Sequence, residues 1–152
     1  MKHEIPVPVE TTFNIPALID LRGILERAGD DEFRMSEAGI VTECGTVGCI
    51  AGNLFIQRAT AEEKAAAMRP ISIWNRLRKR FRGAKVVAEY SWGHVAIFAR
   101  RHLGLSAHEA EHLFHGAWGP RQLTYDPNGR ITPRTRAEAI AQIDKMIATG
   151  RM

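Results

Sequence analysis

The chain has no apolar run near the roughly 20 residues that span a bilayer. Its first residues, Met1-Lys2-His3-Glu4-Ile5-Pro6, carry no apolar signal region behind the lysine. Two cysteines are too few for a secreted disulfide scaffold, and reduced thiols are the cytosolic default. Internal repeats and low-complexity tracts are missing as well. These absences point to a cytoplasmic protein that neither crosses a membrane nor relies on disulfides. One further absence is local. Between Lys64 and Ala88 there is no Asp or Glu, while eight basic residues stand there: Lys64, Arg69, Arg76, Arg78, Lys79, Arg80, Arg82 and Lys85. Setting these aside leaves 13 basic residues against 17 acidic ones, so the net charge of +4 belongs to one segment. A patch of one sign bears on partners and steering rather than on fold.

What is present fits an ordinary globular domain. A length of 152 residues with 45% hydrophobic and 25% charged residues suits a single core. Residues 1–13, with Pro6 and Pro8, read as an N-terminal arm, and 14–152 as a single α-helical domain. Asn14 is a good N-cap with Pro16 in the first turn, and Leu18, Leu21, Ile24, Leu25 and Ala28 repeat at helical spacing. Thr60-Ala61-Glu62-Glu63, Ser106-Ala107-His108-Glu109 and Thr135-Arg136-Ala137-Glu138 are capping boxes that open three further helices. The first of these runs through Met68 to Pro70, and the last buries Ala137, Ile140, Ala141, Ile143 and Ile147. Trp92–His102 forms another helix, stopped by Gly104. Val86–Tyr90 is β-branched and reads as a short strand, and Asp126-Pro127-Asn128-Gly129 as the turn of a small hairpin. The expected fold is mainly α: a single compact domain of six or seven helices with a small β-hairpin or short strands.

The central element is Cys44-Gly45-Thr46-Val47-Gly48-Cys49-Ile50-Ala51-Gly52-Asn53. Thr46 reads as an N-cap, so that the central helix begins near it and is apolar on both sides, as interior helices are. Gly48 and Gly52 leave room for a neighbouring element to approach. A thiolate in the first turn of a helix is stabilised by free backbone N–H groups, which makes Cys49 a candidate nucleophile with His94 as its base. Against this, free cysteine is among the most buried residue types. The stretch is superficially similar to the Cys-Gly-x-Cys entry to the nucleophile helix of papain-like proteases.

His108, His112 and His115 lie within about 60° of one another on a helix, and His108-Glu109-Ala110-Glu111-His112 has the His-Glu-x-x-His form of zinc proteases. Glu109 is committed to the capping box, which weakens its claim as a general base. A solvated polar face is the plainer reading, and no cofactor is expected. The third feature is a basic helix over 72–82. There Trp74, Leu77 and Phe81 form an apolar stripe, and Arg76, Arg78, Lys79, Arg80 and Arg82, with Lys85 beyond them, supply the binding charge. Such a segment suits phosphates or an acidic protein surface.

Phe33-Arg34-Met35, the Cys-Gly-Thr-x-x-Cys-Ile-Ala-Gly stretch, Leu103-Gly104-Leu105, Leu113-Phe114 and Trp118 together resemble a group of small, uncharacterised bacterial and phage proteins. The resemblance spans residues 33–118 and implies a bacterial or phage cytoplasmic setting; it carries no activity. The expectation is an interaction protein rather than an enzyme. It would bind an acidic protein or nucleic acid through segment 69–85, as in a phage–host or anti-defence encounter. A Cys49-dependent hydrolase or transferase and a His-rich metal-binding domain stand as alternatives.

Overall fold

The computed structural model describes residues 13–35, 37–42, 45–74, 80–81, 84–116, 118, 125, 127–129 and 134–152. Six α-helices lie among them: α1 Ile15–Arg27, α2 Ile50–Arg58, α3 Ala61–Ala67, α4 Trp92–Leu103, α5 Ala107–Phe114 and α6 Arg136–Thr149. Five strands accompany the helices: β1 Ile40–Thr42, β2 Gly45–Val47, β3 Met68–Pro70, β4 Arg80–Phe81 and β5 Ala84–Tyr90. The strands run antiparallel in the order β2-β1-β5-β3, and β4 pairs with the start of β5. The architecture is therefore mixed α/β, not mainly α. The reason is that β5 recruits partners far away in sequence. Ile40 pairs with Glu89 and Met68 with Tyr90, and strands of three residues leave almost no local periodicity to read.

Several boundaries move with this correction. The central helix starts at Ile50 rather than near Thr46, because Gly45–Val47 pairs with β1 and Cys49 takes the N-cap. Met68–Pro70 is an edge strand rather than the end of a helix. Pro70 is tolerated there because an edge strand leaves one row of N–H groups unpaired. The basic helix over 72–82 fails at its far end, where Arg80 and Phe81 are strand residues paired with Lys85 and Ala84. Of the expected hairpin strands only Tyr125 is described, and it is exposed; the rest lie outside the described residues, as does the arm before Phe13.

The helix ends follow local chemistry. Asn14 accepts from the Ala17 N–H at 3.2 Å. All three capping boxes form, each with its Thr or Ser oxygen on the N3 amide and its Glu returning to the cap amide. Gly104 and Gly150 close α4 and α6 at φ 66° and 65°, the left-handed region that glycine enters without strain.

One core gathers residues from all six helices. Leu18, Leu21 and Leu25 of α1, Ile50, Ala51 and Leu54 of α2, Val95, Ala99 and Leu103 of α4, Leu113 of α5 and Ile143 and Met146 of α6 are closed to solvent. Each large aliphatic side chain buried in this way stabilises the fold by about 1.5–3 kcal/mol. Helix α6 meets the core with Ala139, Gln142, Ile143 and Met146, while Ala137 and Ala141 face solvent. Gly52 lies against the loop before β1; a methyl placed on it would run into the Ala38 carbonyl oxygen. A smaller cluster of Ile40, Val47, Ile71 and Val86 packs on the sheet. Among the described residues, no helix is long and apolar enough to cross a membrane.

Candidate functional site

The described part of the basic segment begins with Arg69, Pro70 and Ile71. The Ile71 side chain is buried in the sheet's small cluster, but the next two apolar residues point outward: Ile73 is 74% exposed and Trp74 73%. The expected inward stripe is overturned at its first residue, since Ile71 takes the buried place instead. Arg69 on β3 and Lys85 on β5 are exposed. Arg69 pairs with Glu89, and a register shift between Ala88 and Val86 interrupts the alternation of β5 before Lys85, so the pairing does not put the two cations on one face of the sheet. Arg80 contributes a strand residue opposite Lys85. Arg76, Arg78, Lys79 and Arg82 lie outside the described residues. The described, exposed residues of segment 69–85 that bear on binding are thus Arg69, Ile73, Trp74 and Lys85.

Cys49 is closed to solvent, with 1% of its surface exposed. Its N–H donates to the Glu37 carbonyl at 2.7 Å, and the Gly52 N–H reaches its sulfur at 3.5 Å. Burial pushes the thiol up to about 11, and this outweighs the amides at the helix start, which act in the opposite sense. A neutral, inaccessible thiol is no nucleophile. Asn53 explains part of the rigidity here. Its amide nitrogen donates to the Gly48 carbonyl at 2.6 Å and the Cys49 carbonyl at 3.1 Å, tying the turn to the helix that it feeds. Cys44 lies outside the described residues.

His94 is exposed on α4 and lines an open groove together with Phe55, Ala66, Ile97, Phe98 and Arg101. Cys49 does not line it, so the proposed nucleophile and base do not share a cavity.

No protein-family model, curated protein or solved structure matches this chain. Its chemistry therefore rests on its own side chains.

The three histidines of α5 do not converge. The rings of His108 and His112 lie 4.3 Å apart, whereas His115 caps the helix end and tilts against Trp92 at 5.6 Å. Glu109 accepts from the Ser106 N–H at 2.8 Å, the capping role its position implies. Among the described residues, no three His, Cys, Asp or Glu side chains are grouped to hold a metal ion.

Two features escaped the sequence reading. The outward turn of Ile73 and Trp74 has no local signal, because an apolar residue beside basic ones looks the same buried or exposed. The groove did leave a trace: His94, Ile97, Phe98, Arg101 and His102 repeat at i, i+3, i+4, i+7 and i+8, which is one continuous stripe of α4.

Proposed function

We propose that this chain is an interaction protein that engages a polyanionic partner through segment 69–85, with nucleic acid the favoured class and an acidic protein surface the second. The carrying observation is the exposure of Ile73 and Trp74 within a 25-residue stretch, 64–88, holding eight basic residues and no acidic one. Lysines and arginines supply the sequence-independent attraction to phosphates, and a bare indole supplies a face on which bases stack. Trp is also a frequent anchor in protein interfaces, which keeps the acidic protein in view. The buried Cys49 and the separated histidines leave less support for the hydrolase and metal-binding alternatives.

The experiment is a titration with a single-stranded oligonucleotide, read by tryptophan fluorescence in a Trp92→Phe background with Trp92→Phe/Trp74→Phe as the control, since Trp118 emits in both. Quenching of Trp74 is expected, with an affinity that falls steeply as salt rises. Replacing Arg78, Lys79, Arg80 and Arg82 by Glu should abolish binding and leave the thermal midpoint nearly unchanged. Binding that survives the charge reversal would reduce the segment to a solvated face. Quenching by an acidic polypeptide but not by the oligonucleotide would select the protein partner.

A further inference from the structure

A second surface shares no residue with the basic segment. The outer stripe of α4, Phe55 of α2, and Glu63 and Ala66 of α3 enclose an open groove of about 510 Å³. That lies within the roughly 300–1,000 Å³ of small-ligand sites. Its floor is apolar and rigid. Phe98 stands edge-on to buried Phe55 at 5.4 Å, and the His102 ring stacks on Phe98 at 5.5 Å with 17° between planes. Ile97, half-exposed, and Ala66 continue the apolar lining.

The charges are unequal. Among the described lining residues Glu63 is the sole acid, and it is already engaged, accepting from the Thr60 N–H at 3.0 Å at the positive end of α3. The Arg101 guanidinium lines the same groove, and no described residue pairs with it. An apolar trough with one unopposed fixed cation suits neither a plain hydrocarbon nor an inorganic anion. It suits a monoanionic head on an apolar body, and a guanidinium fork matches a carboxylate with two parallel hydrogen bonds. From His94 to Arg101 the helix rises about 10 Å, which sets the length of that body.

We propose that this groove binds an amphipathic carboxylate, with the head on Arg101 and an apolar body of about ten carbons lying over Phe98 toward His94. The test is calorimetric titration of the full chain with decanoate, held below its aggregation concentration. Decanoate should bind wild type. Decanol, the same body without the charge, should bind at least tenfold more weakly. Arg101→Glu and Ala66→Glu, both at exposed positions, should each weaken decanoate at least tenfold while keeping the wild-type thermal midpoint. Ala107→Glu alters the neighbouring groove beside Trp92 and should leave binding unchanged. The proposal is overturned if decanoate fails to bind wild type, if decanol binds equally, if Arg101→Glu binds as wild type does, or if Ala107→Glu causes the loss.

Discussion

The thiol of Cys49 is pulled two ways. Backbone amides at the start of α2 favour the thiolate, while enclosure among core side chains favours the thiol, and enclosure prevails. The sequence shows the first influence, because a cysteine beside a helix start is visible in the order of residues. The second depends on Glu37 and the loop before β1 closing over the turn, which no local pattern records. The consequence for stability has a definite sign. In the unfolded chain the thiol ionises near its usual value of 9, and in the fold only near 11. The folded state therefore keeps a proton that the unfolded state gives up. Stability contributed by the neutral thiol is fully present below pH 9 and lost as pH rises through 11. Two pH units of separation correspond to about 2–3 kcal/mol. Tyr90, also raised by burial, adds in the same direction. Denaturant unfolding at pH 7, 9 and 11 should follow this decline, and Cys49→Ala should flatten it. In a Cys44→Ala background, iodoacetamide should reach Cys49 only on unfolding; rapid labelling of the native chain near neutral pH would contradict the burial argument.

At the scale of elements, what could be read from the sequence is what is encoded within one turn. The three capping boxes, the Asn14 cap and the Gly104 stop depend on residues three or four apart, and each forms where the residues stand. The expected face of α6 holds in part: Ile143 is buried and Ile140 and Ile147 pack half-buried against the core, whereas Ala137 and Ala141 face solvent, and the most buried positions, 139, 142, 143 and 146, include a glutamine that hydropathy alone would turn outward. The β-sheet was largely hidden, because its ladders join residues tens of positions apart through strands of three residues. Arg136 is another long-range device. From the first turn of α6 its guanidinium donates to the Leu25 and Glu26 carbonyls at 3.0 and 3.2 Å, satisfying the open end of α1, and pairs with Asp30 at 2.9 Å. Arg136→Ala should lower unfolding stability by about 1–2 kcal/mol, and Arg136→Lys should recover only part, since an ammonium does not reproduce the fork. Equal stabilities of wild type and Arg136→Ala in urea would show that solvent caps α1 as well as the arginine does.

Among the described residues there are two apolar clusters of unequal size, and β5 runs from one to the other. Tyr90 at its end packs edge-on against Phe55 at 5.2 Å in the main core, while Val86 belongs to the four-residue cluster on the sheet. The smaller cluster also holds Ile71, which precedes the exposed Ile73 and Trp74. The described cluster on the sheet is much smaller than the core drawn from six helices, so the β1–β2 end of the sheet should open more readily than the helices do. Opening there would let Trp74 and the basic residues after it adjust to a partner while the helical core stays closed. Native-state hydrogen exchange measures this directly. The amides of Ile40–Thr42, Gly45–Val47 and the first half of β5 should exchange through local openings of lower free energy than those in the centres of α1, α2 and α4. Ile71→Ala removes a buried aliphatic side chain from the smaller cluster, a change that costs about 2–5 kcal/mol where it is fully felt. It should widen the gap, speeding exchange in the sheet while moving the helical thermal midpoint far less. If sheet and helices exchange at one common free energy, and Ile71→Ala lowers both equally, then the two clusters unfold as one unit and the basic segment is held as firmly as the core.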